Sequence, residues 1–244
     1  MTVSPRRSTP ELALEDCKPV AQALDRGVSR RVLDLACGDG RIARWLATRG
    51  YQVTAIDASE SILDAARAAE NEREVEYLLG DMGAVERLVR GHYGAAFCLG
   101  NALPYLLSPE SLSRMLFGLR RRLLPGAPVL VQVNNYERFT VSRKQVLATD
   151  IVEHEDGDLV VLQLVEPRPD GIVTHTTSTL RHQPAGDPMM EVVVTRANQL
   201  RAWTRSELET MLDVARFEVI EAFGSLAGDP YDEQLSPELV LLAK

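Results

Sequence analysis

Three acidic residues mark where this chain could do chemistry. Asp34 lies in the apolar run Val32-Leu33-Asp34-Leu35, which leads into Cys37-Gly38-Asp39-Gly40. Asp57 closes the run that begins at Val53, and Asp81 follows Gly80 after the run Val75–Leu79. A strand, a Gly-rich turn and a helix start suit a nucleotide-type ligand, because backbone without Cβ permits close approach and free N–H groups crown the helix. Gly38-Asp39-Gly40-Arg41-Ile42-Ala43 also satisfies the short dinucleotide pattern G-x-G-x-x-G/A. Asp57, about twenty residues on, can take ribose hydroxyls in either case. Asp34 and Asp81 separate the two ligands, since an acid repels a pyrophosphate and attracts an amino-acid ammonium group.

The elements that must position these residues are legible from pattern. Val32–Leu35, Gln52–Asp57, Val75–Leu79, Ala95–Leu99 and Pro128–Val133 read as five strands. Helical patterns separate them: one with Ile42, Ala43, Leu46 and Ala47 on a face and Gly50 as terminator, and one capped by Ser59. A third is capped by Ser108 with Pro109 at its first position, and runs to about Leu124. Arg120-Arg121-Arg122 closes that last helix, where cations suit the dipole. Strands alternating with such helices imply parallel βαβ units. After about Phe139 the grammar changes. Asp156-Gly157, Asp170-Gly171 and Gly186-Asp187-Pro188 separate segments near Leu147–His154, Leu159–Glu166, Ile172–Arg181 and Met190–Arg201, which read as an antiparallel meander. Thr204 and Glu207 then form a capping box, and Phe217–Phe223 and Glu238–Leu242 supply two late strands. The expected organisation is one α/β domain over 1–139 and 204–244, with a β insertion at 140–203 acting as a lid or a subunit interface of a homodimer.

Taken together, these motifs resemble a known family. Asp34-Leu-Ala-Cys-Gly-Asp-Gly40 resembles the first motif (D-x-G-x-G-x-G) of class I S-adenosylmethionine-dependent methyltransferases, with Ala36 where glycine is usual. Val53–Asp57-Ala58-Ser59 resembles their second motif, and Gly80-Asp81-Met82 their third. The resemblance covers Arg31–Val133 and implies a Rossmann-like, doubly wound, mostly parallel seven-stranded sheet. It implies that Asp34, Ala36, Cys37, Gly38 and Gly40 hold the methionine part. Asp57 and Ala58 would take the ribose, Asp81 and Met82 the adenine, and Leu99 would contact the ligand through backbone. The cofactor would be S-adenosyl-L-methionine, leaving as S-adenosyl-L-homocysteine.

In an open α/β sheet the residues just past the fourth and fifth strands face the reacting group. Cys98-Leu-Gly-Asn-Ala-Leu-Pro-Tyr105 resembles a segment of glycine and sarcosine N-methyltransferases, and Asn134-Asn-Tyr-Glu137 resembles their R-N-Y-D. The meander placed before the last helix resembles amino-sugar N,N-dimethyltransferases. The candidate catalytic residues are therefore Asn101, Tyr105, Asn135 and Tyr136, although either asparagine could equally be a turn-former. Asparagine at 134 cannot replace the charge of an arginine clamp, which argues against a carboxylate beside the reacting atom. His154, His175 and His182 sit in no recognisable motif for a general base. A neutral amine needs none, so nitrogen is favoured over oxygen.

Composition narrows the partners. The chain has 244 residues, with 27 basic and 35 acidic side chains and a formal charge of −8, which argues against nucleic acid. Cys17, Cys37 and Cys98 are too scattered for a disulfide framework or a metal site. Met1–Pro10 is polar and lacks the apolar stretch of a signal peptide, and no apolar run is long enough to span a membrane. A cytoplasmic enzyme acting on a small molecule is expected. Two readings compete with it: a nicotinamide-dependent oxidoreductase, which would bind NAD(P)H and not S-adenosylmethionine, and a ligand-binding protein of the same fold that transfers nothing.

Overall fold

A computed structural model describes residues 17–69, 75–138, 145–154 and 156–244. The segment Met1–Pro10 and the expected boundary near Phe139 lie outside them. The described residues divide into two compact units, one holding residues 17–138 and 203–244, the other residues 145–202.

The first unit is an α/β sheet. Its parallel strands are β1 (Arg31–Leu35), β2 (Gln52–Asp57), β3 (Glu76–Leu79), β4 (Ala95–Cys98) and β5 (Val129–Asn134). β10 (Val219–Phe223) and β11 (Glu238–Ala243) complete it in the order β10-β11-β5-β4-β1-β2-β3, and β11 runs antiparallel to both of its neighbours. All but one residue of β5 are buried, and every residue of β4 is, as expected for central strands covered on both faces.

Helices follow the sequence pattern in most places. α2 (Arg41–Thr48) buries Ala43, Leu46 and Ala47 and ends at Gly50, whose φ of 82° is left-handed. α5 (Pro109–Arg122) opens on a capping box between Ser108 and Ser111, and α6 (Arg205–Val214) on one between Thr204 and Glu207. Ser59 precedes α3 (Glu60–Ala68) but its side chain makes no capping bond; its N–H instead donates to Asp57 Oδ1 at 2.9 Å. Two helices escaped the sequence reading: α1 (Lys18–Asp25) and the single turn α4 (Val85–Leu88). The arginines ending α5 serve α4 as much as their own dipole. Arg121 bonds the Glu86 carboxylate at 2.9 Å, Arg122 bonds the Glu86 carbonyl, and Arg120 stacks on Phe217 at 5.2 Å.

The second unit is a four-stranded antiparallel meander of β6 (Gln145–Val152), β7 (Asp158–Pro167), β8 (Ile172–His182) and β9 (Met190–Arg201), paired in chain order. No described helix is long and apolar enough to cross a membrane.

Candidate active site

β1 runs into a turn in which alternate residues are left-handed: φ is 54° at Ala36, 57° at Gly38 and 74° at Gly40. For an L residue that conformation costs about 1–2 kcal/mol, which is why glycine is usual where this chain has Ala36. Two bonds fix the turn to β2, and a third fixes Asp57 to the start of α3. Cys37 N–H donates to Ile56 O at 2.9 Å, Gly38 N–H to Asp57 Oδ2 at 2.9 Å, and Ser59 N–H to Asp57 Oδ1 at 2.9 Å. Each Asp57 oxygen therefore keeps a lone pair for a further donor. A Cβ at Gly38 would meet nothing within 4 Å, so the turn opens onto free space there; one at Gly40 would strike the Tyr77 hydroxyl.

Asp34 supplies a second acid. It is 2% exposed, and its Oδ2 is buried without a partner among the described residues. Burial, with Asp57 and Asp39 nearby, pushes its carboxyl up to about 7. Burial, with Asp34 nearby, pushes the Cys98 thiol up to about 12, and burial with Asp34, Asp57 and Asp39 nearby pushes the Cys37 thiol up as well. At the end of β3, Asp81 is exposed and its Oδ1 accepts Gly83 N–H at 2.7 Å. Met82 differs: its side chain is buried in the core, which leaves only its backbone to a ligand. Ala58 is exposed beside Asp57, and Leu99 is buried at the end of β4.

The turns after β4 and β5 are held by side chains. Gly100 and Asn101 are left-handed in succession, with φ 72° and 62°. Gly100 N–H donates to Gln132 Oε1 at 2.5 Å; Asn101 Oδ1 accepts Asn134 N–H at 2.8 Å, and its Nδ2 donates to the Tyr136 hydroxyl at 3.0 Å. Asn101 is thus a turn-former. Asn135 needs a larger correction. Its Nδ2 donates to Glu233 O at 2.8 Å and Ser236 O at 3.0 Å, and its Oδ1 accepts from Glu137 N–H and Tyr231. A buried amide so fully bonded has no atom left for a substrate; Asn135 anchors the 232–236 loop. Tyr136 is also buried, while Tyr105 is 54% exposed, and partial burial, with the Asp57 carboxylate nearby, raises its hydroxyl.

Three residues at this end escaped the sequence reading. Gln132 is 1% exposed in the middle of β5, and its Nε2 is buried without a partner among the described residues. Glu137 Oε2 accepts the Tyr231 hydroxyl at 2.6 Å, and the Arg205 guanidinium lies 5.3 Å from the Tyr231 ring. A glutamine inside Val-Leu-Val-Gln-Val was a readable signal; the Glu137–Tyr231 pair, 94 positions apart, was not. Among the described residues of this unit, His92 is the lone histidine, and it precedes β4 at the far end of the strand. His175 bonds Gln163 at 3.2 Å within the meander. Clefts of about 590 and 600 Å³ lie at the start of β2 and along β10, away from these strand ends.

Residues 32–126 match the methyltransferase domain family. Over 223 residues the chain is 26% identical to a cypemycin N-terminal methyltransferase from Streptomyces sp, covering 88% of this chain and 83% of that one. It spans about half the length of several other curated methyltransferases that it matches. Among solved structures, the CcbJ methyltransferase from Streptomyces caelestis superposes with a TM-score of 0.76 at 25% identity, covering 94% of this chain and 89% of that one. CalS10, an amino pentose methyltransferase from Micromonospora echinaspora, shares the fold with a TM-score of 0.71 at 20% identity over 100% of both chains. The fold and the strand-end turns are those of Rossmann-like methyltransferases. Residues 32–126 carry a methyltransferase domain, and the similarity of the chain to S-adenosylmethionine-dependent methyltransferases favours that cofactor over a dinucleotide at the Gly-rich turn.

The residues present fit that cofactor on their own geometry. The turn faces open space at Gly38, Asp57 has unused acceptor capacity, and Asp34 offers a buried carboxylate oxygen without a partner among the described residues.

Proposed function

We propose that this methyltransferase acts on a nitrogen of a small molecule with no carboxylate beside the reacting atom, such as an amino sugar or an amine on a larger scaffold. The observation that carries this reading is the end of β5, where a neutral amide, Asn134, stands instead of an arginine clamp, with a carboxylate, Glu137, three residues on. An unpaired substrate carboxylate there would lose several kcal/mol on desolvation, whereas a cationic amine finds a favourable field. Similarity to an N-terminal methyltransferase and a fold shared with an amino pentose methyltransferase support an amine acceptor.

When bound, S-adenosylmethionine supplies a methyl group on a positively charged sulfur. In this reading the turn Ala36–Gly40 and Asp34 hold the methionine part, Asp57 and Ala58 the ribose, Asp81 and the Met82 backbone the adenine, and Leu99 packs alongside. Asn101 and Tyr136 shape the acceptor crevice and Tyr105 borders it. Their contribution is alignment, worth as much as ~7–11 kcal/mol in well-oriented systems. The substrate is a small molecule rather than nucleic acid. Three free cysteines support a cytoplasmic setting.

Tritium transfer from labelled S-adenosylmethionine to a panel of amines, amino sugars, phenols, glycine and sarcosine tests the proposal. Amines or amino sugars should lead, with negligible turnover on glycine and sarcosine. Efficient methylation of either amino acid would overturn it and point to Arg138 or Arg181 as the missing clamp.

A further inference from the structure

Past the end of β5 stands a carboxylate without a cation. Glu137 is partly buried, and its backbone N–H is pinned to Asn135 Oδ1 at 3.1 Å. Its Oε2 accepts two neutral donors, the Tyr231 hydroxyl at 2.6 Å and the N–H of Arg205, the first residue of α6, at 3.4 Å. Its Oε1 has no partner among the described residues. Burial and the bond to Glu137 push the Tyr231 hydroxyl above the ordinary tyrosine range, so it stays protonated and donates.

The nearest cation is committed elsewhere. The Arg205 guanidinium bonds Glu209 Oε1 at 2.7 Å and lies 5.3 Å from the Tyr231 ring. Arg138, next in the chain, is exposed, and no ion pair to Glu137 forms among the described residues. Glu233 adds further negative charge beside Tyr231. A charge drawn partly out of water is completed by an opposite charge, and neutral donors on one oxygen do not supply it.

The position of Glu137 belongs to the acceptor side of the sheet. Tyr136, one residue earlier, bonds Asn101 in the turn after β4. Trp203, two residues before Arg205, donates to Leu106 O in the same turn at 3.2 Å. Glu137 is thus tied to the β4 turn from two directions. The acids assigned to the cofactor stand at β1, β2 and β3, and β4 separates all of them from β5.

We infer that Glu137 binds the protonated amino group of the acceptor, and that Tyr231 is a positioning residue that aims the open oxygen of its carboxylate. The inference rests on the amine reading above and adds to it the residue that recognises the nitrogen and the charge state in which it binds. Charge-assisted hydrogen bonds of this kind discriminate strongly between an ammonium group and a hydroxyl of similar size.

The test is calorimetric binding of glucosamine and benzylamine to the full chain saturated with S-adenosylhomocysteine, with glucose and benzyl alcohol as neutral counterparts. Wild type should bind at least one amine about ten-fold or more tightly than its alcohol. Glu137→Gln keeps an oxygen for Tyr231 and Arg205, so the fold should persist while the preference shrinks to about two-fold or less. Tyr231→Phe should lose amine affinity about three- to ten-fold and leave alcohol affinity unchanged, which a merely structural role would not do. S-adenosylhomocysteine affinity should stay within about two-fold in both variants. Should Glu137→Gln fail to fold, Glu137→Asp, which keeps the charge but draws it back, should cut the preference several-fold and carries the test. An amine preference absent from wild type, or undiminished in a folded Glu137 variant, would overturn the inference. Tritium passing to phenols alone in the turnover panel would instead overturn the amine reading.

Discussion

The turns after β1 and β2 and those after β4 and β5 lie at the same end of one sheet, yet they hold their shape by different means. The first set is built from backbone: alternating left-handed residues, with the Asp57 carboxylate clasping two N–H groups. The second is built from side chains, where Gln132 and Asn101 pin the Gly100–Asn101 pair and Asn135 pins the 232–236 loop. The difference bears on what each side can change. A backbone-built turn tolerates varied neighbours but no Cβ where the ligand goes. A side-chain-built crevice can be reshaped one residue at a time. That division suits an enzyme with a fixed donor and a variable acceptor.

The sharpest way to break the contrast is Gly38→Val. The space beside Gly38 is empty of protein, so the fold should survive, with some strain from φ 57°. S-adenosylmethionine affinity measured by calorimetry should fall about 100-fold or more, because the new side chain fills the ligand's space and tilts the turn. Normal binding by the valine variant would remove the donor side from this end of the sheet. Asp57→Ala comes next. It deletes a ribose acceptor and orphans the N–H groups of Gly38 and Ser59, so a loss of about ten-fold is the minimum expected. Unchanged affinity in a folded protein would overturn the assignment.

Gln132→Leu probes the acceptor side. Removing the buried Nε2 should leave thermal stability nearly unchanged, while Gly100 loses its anchor. Cofactor affinity should stay within about two-fold and kcat fall about ten-fold, the mark of misalignment rather than lost binding. Equal losses in both would erase the distinction between the two sides. The smallest effect concerns pH. Asp34 holds its proton up to about 7 in the folded chain against an ordinary 3.8, so the native state binds more protons than the unfolded one between those values. The stability contributed by this group is complete below about pH 4 and is lost as pH rises through about 7. Asp34→Asn should flatten that part of the stability profile. In wild type, a cationic amino group near Asp34 favours the ionised form, so cofactor affinity should rise several-fold through pH 7. An identical slope in the asparagine variant would assign the titration elsewhere.

How much of this was legible in the residues follows from the same contrast. Backbone-built features announce themselves locally: the glycines, Asp57 at the end of β2, and the Ser108 and Thr204 caps all lie within a few residues of what they control. The strands of the sheet and the meander were readable to within a few residues. Ser59 holds the N-cap position without a capping bond, its hydroxyl meeting the Ser61 hydroxyl at 3.2 Å instead of a backbone N–H, and Met82 misleads because apolar character reads alike in a core and in a ligand wall. Asn135 looked like a crevice residue because its partners, Glu233 and Ser236, are about a hundred positions away. Nothing local encodes such a bond.

One consequence of the sheet order concerns the growing chain. β11 lies between β5 and β10, yet it follows both in the sequence, and its pairing partner β5 precedes it by about a hundred residues. Closing so long a loop costs about 2–3 kcal/mol more than closing a hairpin. Through all that synthesis the nearly wholly buried strand Val129–Asn134 has one edge uncovered. A polypeptide interrupted before residue 238 would already possess every element of the donor side, and cellular quality control would meet it as a sticky open edge rather than as half an enzyme.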